Sequence, residues 1–354
     1  MSDPVPVMVT GVGGGGHGEQ IVKALRLGKL RYRIIGTDID RYCSGFSEVD
    51  ISCQVPRASA PGYMETILAL CKQHGVKALF HGSEAEMVTF DAQRARIESM
   101  GVYLPVNREH VLKACQNKVS TMKFLQAHGF PAPQSREIVS GEDLANYNEF
   151  PAVLKPAIGG GGSANVYIVQ DRQELELFAQ HLLKTSTPVL LQQYVGSPDA
   201  EFTVGVLFGS DGALLNSIAI RRVIGNAISV RLRVPNRTSN HTLGNSLVIS
   251  SGVSQGEVGR WPLVTAQCER IARALKPNAP VNIQCRLVND IVIPFEINPR
   301  FSGTTSLRAM AGYNEPDVLI RRDVFGEAIE NQFPYEECVI MRGLSEVKVN
   351  TAPH

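Results

Sequence analysis

The sequence predicts an α/β domain followed by an α+β unit. The α/β prediction rests on an apolar strand, residues 6–10, that is followed by a glycine-rich turn, residues 11–18, and then by the helical spacing of Ile21 and Leu25. This order of strand, glycine turn and helix is typical of the start of a doubly wound domain. The α+β prediction rests on two alternating runs within residues 281–300, which indicate a β-hairpin because successive side chains of a strand point to opposite faces.

The overall composition limits the class of protein. A chain of 354 residues is long enough for two or three domains, since single cores stop growing at about 250 to 300 residues. The 35 basic and 34 acidic residues nearly cancel, so nothing argues for nucleic acid or an anionic membrane surface as a partner. No apolar run of about 18 residues and no apolar leader is present, which argues against membrane spanning and secretion. Seven scattered cysteines without a Cys-x-x-Cys pair predict reduced thiols and a cytoplasmic protein.

The first domain continues through a second predicted strand, Tyr32–Asp38, and a predicted helix, Tyr63–His74. Asp38 and Asp40 follow the glycines by about twenty residues, which is the spacing of a dinucleotide-binding fingerprint. An NAD(P)-dependent oxidoreductase is therefore one alternative function. The structural alternative is that the glycines only allow a tight turn between a strand and a helix.

Two acidic residues follow the next predicted strand, residues 78–81. Glu84 and Glu86 lie where the carboxyl end of a parallel strand would border the ligand crevice. Both are candidates for holding a substrate amine or hydroxyl. The structural alternative is that they complement the dipole in the first turn of a helix.

The second unit begins near residue 115 and carries a lysine on a strand. Residues 150–156 form a predicted strand that contains Lys155, and Gly159–Gly162 and Ser163 follow it. Glycines let backbone N–H groups approach and bind phosphate oxygens. The lysine precedes the glycines, so this is not a Walker A loop, and the arrangement is closer to that of a kinase. The structural alternative is a flexible hairpin turn with a surface lysine.

The next segments are candidates for binding a nucleotide base and an anion. A predicted strand, residues 188–194, and the carboxylate of Glu201 suit adenine on backbone groups and ribose on Glu201. Four arginines within thirteen positions suggest a bound anion, although a solvated strand face fits the pattern as well. They are Arg221, Arg222, Arg231 and Arg233. The polar residues 236–256 are predicted as a substrate lid, with His241 as a proton carrier or as a solvated loop residue.

The hairpin at residues 281–300 is the predicted metal site. Glu296, Asn298 and Arg300 share one face of the second strand. Gln284 joins them only if the connecting loop, around residues 288–290, holds an odd number of residues, and we predict that register. One carboxylate and two amide oxygens suit Mg²⁺ that also takes ligands from phosphates, with Arg300 on the transferred phosphate. A surface hairpin with a polar outer face is the structural alternative.

Taken together, these residues resemble the ATP-grasp superfamily in order and spacing, and most closely its carbamoyl-phosphate-synthase-like branch with a single ATP-grasp unit. Residues 295–306 carry the most specific likeness. The resemblance implies a Rossmann-like pre-ATP-grasp domain that holds no dinucleotide, followed by a two-subdomain ATP-grasp fold. The expected boundaries are 1–114 for the pre-ATP-grasp domain, 115–192 for the small subdomain, 193–335 for the large subdomain and 336–354 for a C-terminal tail.

The resemblance also implies roles for single residues. Lys118 and Lys155 would bind the α- and β-phosphates of ATP, and a glycine flap would cover the γ-phosphate. The flap residues are Gly160, Gly161, Gly162 and Ser163, the base-reading residues are Gln193, Tyr194 and Val195, and the ligands of two Mg²⁺ ions, with Mn²⁺ as a substitute, are Gln284, Glu296 and Asn298. Many members carry an acidic residue where Gln193 stands, and the chain lacks the duplicated half of a carbamoyl-phosphate synthase.

The predicted function is an ADP-forming ligase that activates a carboxylate as an acyl phosphate and joins it to an amine. Such chemistry needs positioning and charge neutralisation rather than a covalent nucleophile. Arg300 and Lys155 are the predicted catalytic residues, and Glu84 and the four arginines are the substrate candidates. Small carboxylates and amines are the expected partners, and a homodimer is common in the family. A nucleotide-binding regulator without turnover is the second alternative.

Overall fold

The computed structural model describes residues 3–159 and 161–347. The strands are β1 (Val5–Thr10), β2 (Tyr32–Asp38), β3 (Ile51–Gln54), β4 (Ala78–Phe80), β5 (Ser135–Ile138), β6 (Ala152–Pro156), β7 (Tyr167–Val169), β8 (Val189–Gln193), β9 (Glu201–Phe208), β10 (Leu214–Arg222), β11 (Val230–Pro235), β12 (Ser246–Ser250), β13 (Gly256–Gly259), β14 (Val281–Val288), β15 (Ile291–Asn298) and β16 (Cys338–Ile340). The α-helices are α1 (His17–Arg26), α2 (Tyr63–His74), α3 (Glu84–Ala92), α4 (Arg94–Glu98), α5 (Glu109–Gln116), α6 (Lys118–Ala127), α7 (Arg172–Leu183), α8 (Pro262–Leu275), α9 (Thr305–Met310) and α10 (Glu315–Leu319).

The N-terminal part is a parallel sheet of four strands in the order β3-β2-β1-β4. The predicted strand Tyr32–Asp38 and helix Tyr63–His74 have the bounds that the sequence indicated. A glycine is required at Gly18, because a β-carbon there would lie 2.3 Å from the carbonyl oxygen of Gly11, where α1 packs on the turn. The sheet places the glycine turn and the start of α3 at its carboxyl edge.

Two antiparallel sheets follow. The smaller has the order β5-β8-β6-β7 and packs against α7, and the larger has the order β15-β14-β9-β10-β13-β16 and packs against α8. Residues 338–340, within the segment predicted as a C-terminal tail, form an edge strand of the larger sheet. A continuous apolar core joins α1 of the N-terminal part to α9 and β10, which fixes the parallel sheet against the larger antiparallel one.

The segment predicted as a polar lid is partly a strand. Residues 230–235 and 246–250 pair as the hairpin β11–β12. Its apolar residues, including Leu247, pack against Val153 and Ile168 of the smaller sheet. Residues 236–256 are therefore not one long loop, because alternate residues of β12 find an apolar surface to cover. His241 is exposed in a short 3-10 turn between the two strands.

The loop of the hairpin β14–β15 differs from the prediction, although the register agrees with it. Val288 pairs with Ile291, so the loop is two residues long, an even number, and its residues Asn289 and Asp290 both have positive φ, 49° and 62°. A β-bulge then adds one residue, Phe295, to β15, because Cys285 pairs with Pro294 whereas Gln284 pairs with Glu296. The bulge supplies the odd residue that the prediction placed in the loop.

Candidate functional site

A cavity of about 790 Å³ lies between the two antiparallel sheets and reaches the N-terminal glycine turn. Its walls come from five parts of the chain. Their lining residues include Gly14–His17 and Glu84, Lys118 and Lys155, Gln193–Val195, Ser250–Ser254, and Gln284 with Glu296, Asn298 and Arg300. The fold thus brings together most of the residues that the sequence proposed for nucleotide and metal binding.

The floor of the cavity is a grid of polar side chains on the larger sheet. One row across β9, β14 and β15 holds Thr203, Gln284 and Glu296, and the next row holds Gly205, Asn282 and Asn298. Residues paired across antiparallel strands point to the same face. The floor therefore combines one carboxylate with three amide groups.

Two lysines face this floor from the smaller sheet and α6. Lys155 donates a hydrogen bond to the carbonyl oxygen of Phe295, 3.1 Å away, and Lys118 donates to that of Gly159 at 2.7 Å. Burial lowers the pKa of Lys155 to about 8, with Glu296 opposing that shift and Lys118 adding to it. Lys155 is thus a buried cation, and Glu296 of the polar floor is the carboxylate whose charge acts on it among the described residues.

Glu296 is kept ionised by its neighbours. Burial alone would raise its pKa, but the charges of Lys118 and Lys155, a hydrogen bond from Asn298 and the charge of Arg300 lower it below the usual value. The Asn298 amide nitrogen donates to Glu296 Oε1 at 3.1 Å. Arg300 in turn donates to Asn298 Oδ1 at 3.1 Å and to Glu84 Oε1 at 3.0 Å.

The glycine flap contacts the loop after β12. Ser163 Oγ donates to the carbonyl oxygen of Ser250 at 2.8 Å, and Gly162 has a φ of +66°. A β-carbon on Gly252 would lie 3.1 Å from Gly162 Cα, so these two glycines approach closely. Gly160, which the sequence assigned to the flap, lies outside the described residues.

Two of the three backbone N–H groups in residues 193–195 already have partners within the protein, which limits how this segment could bind a nucleotide base. The N–H of Gln193 donates to Gln134 and that of Tyr194 to Pro151, at 2.8 and 3.1 Å. The Tyr194 hydroxyl bonds to the backbone of Val248. In the described part of the chain, the N–H of Val195 is the backbone donor of this segment that remains for a base.

Glu201 and Arg222 meet in a buried polar cluster that the sequence did not indicate. Both side chains are buried and they form an ion pair at 3.0 Å, while Arg286 binds the other oxygen of Glu201 at 2.9 Å. Burial alone would raise the pKa of Glu201, but the two arginines lower it. Both side chains therefore have protein partners, and the roles of Glu201 toward a ribose and of Arg222 toward a substrate anion stay predictions.

The remaining arginines divide between the cavity and the outer surface. Arg231 lines the cavity. Arg221 pairs with Glu257 and stacks on Trp261, and Arg233 donates to the carbonyl oxygen of Ile224. Arg221 and Arg233 are not among the described residues that line the cavity, and both guanidinium groups have partners elsewhere, which argues against them as substrate ligands.

The dinucleotide alternative is not favoured. Asp38 would have to accept from a ribose, but its Oδ2 accepts from the N–H of Gly13 at 2.9 Å and its Oδ1 from that of Asp40 at 3.0 Å. A β-carbon on Gly13 would lie 2.7 Å from Cys43 Sγ. Both carboxylate oxygens of Asp38 therefore accept hydrogen bonds from backbone N–H groups of the protein.

The sequence reasoning left other polar residues of the cavity without a role. Among them are Asn282, Thr203, Arg286 and His17. The alternation that selected Gln284 would also have selected Asn282 and Arg286, since the three share one strand face. His17, the first residue of α1, lies 3.1 Å from the buried His81, which follows β4, and no local pattern indicates a contact between segments so far apart in the sequence.

A parallel domain followed by two antiparallel sheets that enclose a lysine-rich, carboxylate-bearing cavity is the fold of the ATP-grasp structures that superpose on this chain. Two family models match separate segments of the chain. Residues 9–105 match the family described as PylC-like, N-terminal domain, and residues 250–344 match the family described as ATP-grasp in the biosynthetic pathway with Ter operon. The N-terminal glycine turn thus lies within the segment that matches the PylC-like family.

Similar proteins carry ligase names. A D-alanine–D-alanine ligase of Aquifex aeolicus is 34% identical over 95 residues, which is 26% of this chain and 32% of that protein. An L-amino acid ligase from Bacillus licheniformis superposes with a TM-score of 0.61 at 16% identity, over 91% of this chain and 74% of that one. The ADP complex of purK, an N5-carboxyaminoimidazole ribonucleotide synthetase, superposes with a TM-score of 0.65 at 16% identity, over 96% and 80%.

The chain spans between 32% and 45% of the length of the first curated relatives that it matches. The superposed structures are less than 25% identical and establish the fold. Among the described residues, every helix is too short or too polar to cross a membrane.

Proposed function

We propose that the protein is an ADP-forming ligase that uses Mg-ATP to convert a carboxylate into an acyl phosphate, which an amine then captures. The observation that carries the proposal is the pairing of Gln284 with Glu296 directly across β14 and β15, on the face that Lys155 approaches. This pairing gathers amide and carboxylate oxygens and a cation at one end of the cavity. The ligase names of the similar proteins support the same class.

The donor set fits magnesium. The Gln284 amide oxygen and the Glu296 carboxylate are hard oxygen ligands, which suit Mg²⁺ that keeps waters and shares phosphate oxygens. Asn298 would give up its hydrogen bond to Glu296 and supply its own amide oxygen as a further ligand. Bound there, Mg²⁺ would neutralise charge on the phosphate oxygens. Two ions, with Mn²⁺ as a substitute, are part of the proposal.

The roles of this chain's residues follow from their positions around the floor. Lys118 and Lys155 would hold the α- and β-phosphates, and the flap around Gly162 and Ser163 would cover the γ-phosphate. Arg300 would stabilise the charge that develops on the transferred phosphoryl oxygens. These residues position the carboxylate for in-line attack, so no covalent nucleophile of the protein is required.

The substrates would occupy the end of the cavity beyond Arg300. Glu84 lines this end and its carboxylate is half-exposed, so it suits a substrate ammonium group. Arg231 lines the cavity from β11 and suits a substrate carboxylate. The glycine turn at residues 14–17 closes the same end.

The decisive experiment measures ADP release with Mg-ATP while amino acids and small carboxylates are added singly and in pairs. We expect turnover only when a carboxylate and an amine are both present. Glu296→Ala should abolish ADP release and keep the wild-type circular dichroism spectrum, whereas Glu330→Ala, at an exposed position, should retain activity. Retained ADP release by Glu296→Ala would contradict the proposal, and nucleotide binding without any turnover would favour a regulator. A homodimer, expected from the family, is tested by light scattering.

A further inference from the structure

The Glu201 carboxylate is the centre of a saturated polar cluster, made of Glu201, Arg222, Ser250 and Arg286, beside residues 193–196. Its Oε1 accepts from Arg222 Nη1 at 3.0 Å and from Ser250 Oγ at 2.6 Å. Its Oε2 accepts from Arg286 Nε at 3.1 Å and from Nη2 at 2.9 Å. An ionised carboxylate has about four acceptor sites, so these four bonds leave none for a ligand hydroxyl. The side chain is 1% exposed.

Arg286 connects this cluster to the base-reading segment. Besides its two bonds to Glu201, it donates to the carbonyl oxygens of Val195 and Gly196, both at 3.1 Å, and to that of Val248 at 3.1 Å. Its guanidinium lies 4.5 Å from the centre of the Tyr194 ring. Five N–H donors thus make five bonds, which fixes the position of the Val195 backbone.

The other carboxylates of the cavity lie at its phosphate end. Among the described residues, the lining carboxylates besides Glu201 are Glu84 and Glu296. Glu84 pairs with Arg300, and the charges of both lysines act on Glu296. The nearby hydroxyls are also in use, since Ser250 donates to Glu201 and Thr203 donates to Asn282. No described carboxylate beside residues 193–196 is left to accept from ribose hydroxyls.

We infer that this chain selects its nucleotide by the base and the phosphates and not by the ribose hydroxyls, and that Arg286 is the positioning residue for base reading. The inference rests on the proposed use of ATP. A ribose hydroxyl that donates to a free carboxylate would make a charge-assisted bond, worth on the order of tenfold or more in affinity. This chain would not have that gain in affinity, because the four hydrogen bonds to Glu201 occupy its acceptor sites.

Isothermal titration calorimetry of the full chain with Mg²⁺ and either ADP or 2′-deoxyADP tests the ribose part. We expect dissociation constants that agree within about fivefold, below the gain expected from a charge-assisted bond. A larger preference for ADP overturns the inference and leaves the proposed function standing. If neither nucleotide binds, the proposed function itself fails, and this inference with it.

Arg286→Lys tests the positioning part, because a lysine ammonium cannot make five fixed bonds. We expect ADP and 2′-deoxyADP to lose affinity by the same factor, and the preference for ADP over GDP to fall. Arg221→Lys, at an exposed position outside the cavity, is the matched control and should keep that preference. An unchanged ADP-to-GDP ratio in folded Arg286→Lys overturns the positioning role. Should this variant not fold, the comparison of the two sugars in the wild-type protein still decides the main claim.

Discussion

The Asn298 side chain lies between Glu296, to which it donates at 3.1 Å, and Arg300, from which it accepts at 3.1 Å. Its amide therefore hydrogen-bonds to the carboxylate through its nitrogen and to the guanidinium through its oxygen. A metal that takes Glu296 as a ligand must compete with this bond. A substitution at Asn298 is therefore a sensitive test of the proposed cation site.

Asn298→Asp should make stability more dependent on magnesium. Without a bound cation, the new carboxylate would repel that of Glu296 and destabilise the fold. With Mg²⁺ present, the two carboxylates together would bind the cation more strongly than Glu296 and an amide do. We expect the melting temperature to fall in EDTA and to rise with Mg²⁺ by more than in the wild-type protein. Asn146→Asp, at an exposed position, is the control. An equal Mg²⁺ effect in Asn298→Asp and wild type would argue against a cation at this position.

Nucleotide affinity should decrease as pH rises through about 8. Lys155 has its pKa lowered to about 8 from 10.5, so in the free protein it loses its proton above that value. Phosphate oxygens favour its charged form, so binding between these two values should be accompanied by proton uptake. Calorimetry in buffers of different ionisation enthalpy measures that uptake. Binding that takes up no proton near pH 9 would show that Lys155 does not meet the phosphates.

Arg231→Ala should raise the KM for the carboxylate substrate by at least about tenfold, the loss expected for a charge-assisted hydrogen bond, while the KM for ATP changes little. The matched control is Arg233→Ala, two residues along the same strand and on the outer surface. Steady-state kinetics with each substrate varied separately provides the measurement. Equal effects of the two substitutions would remove Arg231 from the substrate site.

Gly205→Ala should destabilise the fold by roughly 1 to 3 kcal/mol, the usual range for overpacking a filled site. A β-carbon there would lie 2.3 Å from Arg308 Nη1 and 3.0 Å from Glu315 Oε1, and these two side chains form a buried ion pair at 3.1 Å. Gly225→Ala is the control, since nothing lies within 4 Å of its added carbon. Urea unfolding gives both free energies. A loss at Gly205 no larger than that at Gly225 would mean that the ion pair adjusts without cost.

The sequence was informative where a local period decides the structure. Alternation in residues 291–298 correctly placed Glu296 and Asn298 on one face, and the glycine turn correctly opened a parallel sheet. The bulge at Phe295 was not predictable, because a two-residue turn with a bulge and a three-residue turn without one give the same side-chain pattern.

The sequence was uninformative where partners come from distant strands. Glu201, Arg222 and Arg286 meet only because β9, β10 and β14 are neighbours in the larger sheet. Each alone is a charged residue on a predicted strand, equally suited to a ligand or to solvent. The burial of all three and their mutual ion pairs follow from the order of the strands.

The extra residue at Phe295 decides which side chain this hairpin presents to the lysines. Removing that one residue would straighten β15 but leave Glu296 opposite Gln284, because Pro294 and Glu296 already pair with the consecutive residues Cys285 and Gln284. Regular pairing that kept all residues after the two-residue turn would instead place Phe295 opposite Gln284 and turn Glu296 to the other face. Descendants of this hairpin can therefore lose the kink by deletion, but cannot absorb the same residue into a regular ladder and keep the acid in the cavity.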